Sequence, residues 1–324
     1  MELLRDADID PAPLRGKRVA IVGYGNQGRA QALNLHDSGI DVVVGLRGGS
    51  GTTTEVLAAG LKTALFGDAV SSADVIMLLA PDEILGSLYR EIELNVRQGA
   101  ALGFAHGLAI RFGLIEPRAD LDVFMVAPKG PGTALRSLYL EGKGMLALWA
   151  VGQDHTGNAR SIALAYGQAI GSGRAGMMQS SFAEECEADL FNEQAVVWGA
   201  VPEVLIAGFD TLVAAGFSPE VAYMECVGEL SLIAQLIEAR GIAGMREAIS
   251  NTAELGATIG GARIIDESVR ARMAEVLAEV RAGKFATALR DEEAGGYPLL
   301  KEARARARKL AVESARERLL KLGS

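Results

Sequence analysis

The run Arg18-Val-Ala-Ile-Val22 leads without a break into Gly23-Tyr24-Gly25-Asn26-Gln27-Gly28, and a helical stretch, RAQALNLHDSG, follows at once. No other feature limits the possible folds as much. A lone GxGxxG is weak. After an apolar strand, before a helix and at the start of a βαβ unit, it specifies a turn that holds a pyrophosphate. Gly23 permits the tight turn, Gly25 lets the backbone approach the phosphates, and Gly28 allows close helix–strand packing. The helix N-terminus supplies a positive field. Tyr24, Asn26 and Gln27 fill the same loop and join the three glycines as cofactor candidates. The alternative is a plain glycine turn with no ligand.

The first half of the chain alternates β-branched runs with helical stretches, as βαβ units do. Strands are expected at 18–22, 41–45, 74–80, 100–105, 121–127 and 145–151. Their nearly continuous apolar character is that of strands covered on both faces, which predicts a parallel sheet. From about Ser180 strand-like runs vanish and helical periodicity takes over, at 184–198, 221–239 and 301–320. The last of these reads as one amphipathic surface helix. The expected fold is therefore an α/β Rossmann-type domain over 1–181 followed by an all-α domain over 182–324.

The end of the second strand selects between the two nicotinamide dinucleotides, because an acid there binds the ribose hydroxyls of NAD. Here the strand ends in Leu46-Arg47-Gly-Gly-Ser50-Gly-Thr52, with no acid before Glu55. A guanidinium fork and hydroxyl donors suit a 2′-phosphate, so NADPH is expected. The other reading is a polar loop without a phosphate role. Ligands of open α/β sheets sit beyond the carboxyl ends of strands. Pro81 and Asp82 after the third strand, and Gly132 in the loop 128–132, complete the cofactor candidates. His106 follows ALGFA directly, and Lys129 sits between Pro128 and Gly130. Together they suggest a site for an anionic, oxygen-rich substrate and a proton. Taken alone, a strand-end histidine is as readily structural.

Two carboxylate pairs carry the second domain's chemistry. Asp189 and Glu193 are four apart, as are Glu225 and Glu229. Such residues share a helix face. Their neighbours are apolar, so the faces are expected to be partly buried, where unpartnered acids are costly. Mg²⁺ accepts carboxylate oxygens while keeping water, and two helices with two acids each could hold a two-metal centre. Glu185 extends the first stripe by a turn in a supporting role. Solvated surface acids are the plainer alternative.

Composition excludes some classes. The formal net charge of −9 argues against a general nucleic-acid binder. Cys186 and Cys226 match no metal spacing and read as free thiols in a reducing cytoplasm. The N-terminal stretch has early acids and no apolar run, unlike a signal peptide. The apolar stretch 195–217 contains Pro202, Glu203 and Asp210, and is expected to form buried helices of a soluble protein rather than a membrane span.

Along nearly its whole length the chain resembles the short-form, or class I, ketol-acid reductoisomerases (acetohydroxyacid isomeroreductases). The resemblance is carried by GYGNQGRAQALNLHDSG, VVVGLR, FAHG, DVFMVAPKGPG, AVGQD, GNAR, DLFNEQAV and AISNTAELG, in the family's order. It implies a knotted helical C-terminal domain and two Mg²⁺ ions that bind an acetohydroxy acid. It also implies an alkyl migration followed by hydride transfer from NADPH, and a place in valine and isoleucine biosynthesis. It further implies a homodimer or larger homo-oligomer with a small-molecule substrate, and neither nucleic acid nor membrane as partner. Asp189 and Glu193 match metal ligands from one helix, Glu193 with a catalytic part as well. Glu225 and Glu229 match the pair that completes the site in the family's oligomers. Ser250 matches a substrate-carboxylate contact. His106 and Lys129 match catalytic polar groups beside the metals and the nicotinamide. Arg47, Ser50 and Thr52 match the phosphate-selecting loop. The chain departs from the family at Asn26 for Ser, Arg29 for His, Asn192 for Gly, Leu255 for Tyr, at LAIRFG for FNIHFG, and at Gly144-Met145-Leu146 for GVP. The departures bear on cofactor grip and pocket shape and leave room for a paralogue with another substrate. Two rivals differ in chemistry. One is a metal-free β-hydroxyacid-dehydrogenase-like enzyme, in which the acid pairs would have no task. The other is a non-catalytic paralogue, which has no need of all four acids, Ser250, His106 and Lys129.

Overall fold

A computed structural model describes residues 2–322. The chain divides into two compact units, Met1–Ala188 and Asp189–Ser324.

The first unit is built on a nine-stranded sheet: β1 (Leu3–Leu4), β2 (Arg18–Val22), β3 (Asp41–Leu46), β4 (Lys62–Leu65), β5 (Val75–Leu78), β6 (Ala101–Phe104), β7 (Asp122–Pro128), β8 (Ala147–Gln153) and β9 (Met177–Gln179). Their order across the sheet is β1-β9-β8-β7-β6-β5-β2-β3-β4. The six strands β4-β3-β2-β5-β6-β7 are all parallel. This is the doubly wound order, and its direction reverses between β2 and β5. Alternate residues of each strand enter opposite faces. Val19 and Ile21 pack with Leu35 and Ile162, while Ala20 and Val22 pack with Val70 and Leu85. Burial on both faces explains the unbroken apolar runs, and each fully buried large aliphatic contributes about 1.5–3 kcal/mol.

The expectation of a wholly parallel sheet is corrected. β8 runs antiparallel to β7, and β1 antiparallel to β9, so the sheet is mixed. An apolar run encodes burial and not direction. The hairpin-like return from β7 to β8 passes through helix Gly132–Leu140, which packs on helix Asn26–Asp37.

The second unit is helical. Its buried cluster joins Phe209, Ala222, Val312 and Ala315, with Leu310 and Tyr223 packed against it. Three expectations change here. The charged C-terminal stretch is two helices, Pro298–Ala307 and Ala311–Leu322, because the chain turns at 308–310 to bring Leu310 and Val312 onto Phe209. The stretch 221–239 is likewise interrupted, by a π-helical turn at Met224–Gly228. The apolar stretch 195–217 is not buried within the chain. Helix Ala200–Ala214 buries only Phe209, and the region 182–214 is long and apolar enough to cross a membrane by length and composition, with its most apolar 18-residue window only 6% buried. Helices Leu230–Ala248 and Asn251–Ile264 bury no residue at all, leaving Leu232, Ile242, Leu255 and Ile259 exposed.

Candidate active site

The glycine turn sits where β2 ends, beside β5, at the sheet's switch point. Gly23 has φ +101°, and a Cβ there would meet the Ala80 backbone nitrogen at 2.7 Å. Only glycine combines that dihedral with that approach. A Cβ at Gly28 would meet the Gly23 carbonyl oxygen at 2.1 Å, which fixes the helix start tightly under the turn. Around Gly25 nothing lies within 4 Å of such a Cβ, so the middle of the turn faces open space. The half-buried Tyr24 packs its ring on the core. Asn26 opens helix Asn26–Asp37, whose N-cap is Gly25.

Arg47 follows β3 and is exposed, with Ser50 and Thr52 half-buried beyond it. The Ser50 hydroxyl accepts from the Thr52 amide at 3.3 Å, which orders the loop. Glu55, the first acid of this region, pairs with Arg29 at 3.3 Å. The family departure at Arg29 thus engages Glu55. Pro81 caps helix Asp82–Ile92 directly after β5, with Asp82 in its first turn.

His106 and Lys129 follow the ends of the adjacent parallel strands β6 and β7. The structure joins them through Glu185. Its Oε1 lies 2.8 Å from Lys129 Nζ, its Oε2 lies 3.0 Å from His106 Nδ1, and its Oε2 accepts from the Gly107 amide at 2.8 Å. Glu185 is 1% exposed. Burial alone would raise its pKa, but His106 and Lys129 outweigh that and bring it down to about 2. Burial pulls His106 down, yet the Cys186 and Glu185 side chains beside it, and Glu185's charge, hold it well above 6.5. His106 and Lys129 thus flank one buried carboxylate, and Asp189 brings a second within 4.8 Å of Glu185 and His106. Gly107 is needed here because a Cβ would strike the Phe182 carbonyl oxygen at 2.1 Å. Arg111, another family departure, pairs with Glu187 at 2.9 Å one turn from this point. Sequence reading gave Glu185 only a supporting place. Its signal was position, one turn before Asp189 on the same stripe.

The four expected metal ligands fall differently. Asp189 is half-buried one turn beyond Glu185 on helix Phe182–Ala195, the two carboxylates approaching within 4.8 Å, and Glu193 is exposed a turn further. Glu225 lies inside the π-helical turn and Glu229 caps it, so the pair does not share a regular α-helical face. Both are exposed, against the expected partial burial. Among the described residues, Glu193, Glu225 and Glu229 enter no cluster of three or more metal-type side chains. As a donor set, Asp189, Glu193, Glu225 and Glu229 offer only hard carboxylate oxygens, which fits a magnesium ion that keeps part of its water. Ser250 is the N-cap of helix Asn251–Ile264, its hydroxyl accepting from Ala253 N at 3.2 Å.

A doubly wound sheet with a glycine turn at its switch point, and charged groups at the next strand ends, defines a Rossmann-type oxidoreductase using a nicotinamide dinucleotide. The comparisons narrow this. Residues 13–176 match the family described as acetohydroxy acid isomeroreductase, NADPH-binding domain, and residues 182–324 match ketol-acid reductoisomerase, C-terminal domain. The chain belongs to the ketol-acid reductoisomerase family. It is similar to the structure of an NADH-preferring ketol-acid reductoisomerase from an uncultured archean, at 42% identity and TM-score 0.95, covering 99% of each chain. More distant likenesses show the fold alone. A putative oxidoreductase from Jannaschia sp. is 19% identical with TM-score 0.62, over 82% of this chain and 98% of that one. A semialdehyde dehydrogenase NAD-binding protein from Cupriavidus necator is 18% identical with TM-score 0.63, over 82% and 99%.

Proposed function

We propose that this protein is a magnesium-dependent ketol-acid reductoisomerase acting on 2-acetolactate and 2-aceto-2-hydroxybutyrate, with NADPH as reductant, in valine and isoleucine biosynthesis. The observation that carries the reading is Glu185 held between His106 and Lys129 at the ends of β6 and β7, in a chain of this family. When bound, two magnesium ions would stabilise charge on the adjacent oxygens of the acetohydroxy acid, and the dinucleotide would supply hydride. Asp189 and Glu193 would hold the metals from one helix, with Glu225 and Glu229 completing the set. Glu193 also takes part in moving the substrate proton.

The chain's own groups prepare the rest. Protonated His106 and Lys129 hold positive charge where oxygen becomes anionic, preorganised by Glu185 so that little reorganisation is needed during reaction. Ser250 contacts the substrate carboxylate. The glycine turn, Pro81, Asp82 and Gly132 seat the dinucleotide, and Arg47, Ser50 and Thr52 take its 2′-phosphate. An exposed Arg47, with Glu55 paired to Arg29, supports NADPH. The relative described as NADH-preferring makes the preference an experimental question.

The exposed apolar faces of helices Ala200–Ala214, Leu230–Ala248 and Asn251–Ile264 support a homodimer or larger homo-oligomer, in which a second copy covers them. Two unbridged cysteines, Cys186 and Cys226, suit a cytoplasmic setting. The test follows NADPH oxidation with 2-acetolactate, with and without Mg²⁺, for wild type and Glu193→Gln. Magnesium-dependent turnover lost in the variant supports the reading. Normal NADPH binding without wild-type turnover would favour a paralogue with another substrate.

A further inference from the structure

Two fully buried polar residues have no part in the chemistry above. Gln31 and Tyr166 are both 0% exposed, and Tyr166 lies within the apolar cluster on one face of the sheet. Apolar side chains would fill that space without the cost of desolvating an amide and a phenol. Instead they form a chain of hydrogen bonds. Tyr166 OH donates to Gln31 Oε1 at 2.6 Å. Gln31 Nε2 donates to Gln27 Oε1 at 3.0 Å. Gln27 Nε2 donates to the Gly130 carbonyl oxygen at 2.9 Å.

The direction of every bond is fixed from one end. A backbone carbonyl can only accept, so Gln27 must turn its NH₂ to Gly130 and its oxygen to Gln31. Gln31 must then turn its NH₂ to Gln27 and its oxygen to Tyr166, which leaves the phenol as donor. Burial pushes the Tyr166 pKa well above 10, so it keeps the proton it donates. The chain ends in the peptide next to Lys129. A second bond ties the same two loops together, with the Thr133 amide donating to Asn26 Oδ1 at 3.1 Å. The loops also touch as backbone, since a Cβ at Gly132 would meet Asn26 O at 2.1 Å.

We propose that Tyr166, Gln31 and Gln27 form a positioning relay that locks the Lys129–Thr133 loop to the glycine turn, coupling dinucleotide binding to the placement of Lys129. The inference rests on the proposed function for its consequence in catalysis. Its structural content is independent of the substrate. Tyr166→Phe keeps the ring and its edge contact with Phe124 while removing the donor. Gln31 Oε1 then loses its buried donor, and the Gln31–Gln27–Gly130 chain loses the support at its inner end.

The experiment is hydrogen exchange of the peptide spanning 128–135, with and without NADPH, in wild type, Tyr166→Phe, Gln27→Met and the double variant. Wild type should gain protection with NADPH. Each single variant should exchange this segment about tenfold faster in the bound state, and the double variant no faster than either single. In parallel, kcat with 2-acetolactate should fall about tenfold in Tyr166→Phe while the dissociation constant for NADPH stays within twofold. Unchanged exchange in Tyr166→Phe, or fully additive effects in the double variant, would overturn the relay. Should Tyr166→Phe fail to fold, Gln27→Met, altered at a half-buried position, carries the exchange test on its own. A wild type inert on 2-acetolactate would sink the proposed function and leave the exchange result to decide the relay.

Discussion

Lys129 Nζ lies 2.8 Å from Oε1 of Glu185, a residue 56 positions further along the chain and 1% exposed. The pair fixes a strand-end lysine against a helix, and it is worth most as a unit. Lys129→Met leaves the Glu185 charge with only His106 and the Gly107 amide. Removing one partner of a buried pair is strongly destabilising, and partial exposure of Lys129 moderates the effect, so we expect a loss of about 2–3 kcal/mol. Urea unfolding of both proteins measures it. A loss under about 0.5 kcal/mol, the range of an ordinary surface substitution, would mean the pair contributes little.

The same cluster gives stability a defined pH dependence. Glu185 has its pKa lowered from 4.5 to about 2, so its ionised form favours the folded state. Its contribution, on the order of 3 kcal/mol, is complete above pH 4.5 and is lost as pH falls toward 2. His106 is raised above 6.5, so its contribution is complete below pH 6.5 and fades as pH rises through the higher folded value. The two overlap between about pH 4.5 and 6.5. The urea midpoint of wild type minus that of Glu185→Gln should therefore be largest in that interval and shrink on both sides. A difference that is flat from pH 3 to 8 would contradict the assignment.

How much of this could be read from residues alone follows from what residues encode. Runs such as Arg18–Val22 announce buried strands, and the glycine turn places the first of them at a phosphate site. β4 (Lys-Thr-Ala-Leu) and β9 (Met-Met-Gln) are short and partly exposed, so no apolar run marks them. The antiparallel return of β8 against β7 is a matter of topology that hydrophobicity does not carry. His106 and Lys129 were legible as polar groups at strand ends. That Glu185 would join them was not, because an ion pair across 56 residues leaves no periodicity. The spacing of Glu225 and Glu229 suggested one α-helical face, and the π-helical turn between them changes that geometry. The apolar helices of the second unit looked like core. Their exposure shows that composition alone does not fix burial.

That exposure leads to a prediction about assembly. Leu232 is 58% exposed before the kink at Gly241 and Ile242 64% after it, and Leu255 is 63% and Ile259 58% exposed on the following helix. Light scattering should give a dimer or larger species for the wild type. Leu232→Glu combined with Ile259→Glu should shift the mass toward the monomer and abolish turnover while leaving NADPH binding within about threefold, because the nucleotide groups lie in the first unit. A monomeric wild type with full activity would refute the assembly reading.

The loop after β3 offers a test of the proposed NADPH preference. Arg47 is exposed at its start, and Glu55 pairs with Arg29 at 3.3 Å. A charge-assisted fork to a 2′-phosphate is worth about 1.5–3 kcal/mol, which is roughly a tenfold to hundredfold change in affinity. Arg47→Asp should therefore weaken NADPH by at least about tenfold without weakening NADH, which has no phosphate to lose and whose ribose hydroxyls the new acid can bind. Arg29→Ala, by releasing Glu55, should move the balance toward NADH by a smaller factor. Titrating both dinucleotides against the three proteins by nicotinamide fluorescence decides the matter. If Arg47→Asp weakened the two equally, the arginine would be ordering the loop rather than reading the phosphate. The preference would then have to come from Ser50 and Thr52, whose hydroxyls stand next in the same turn.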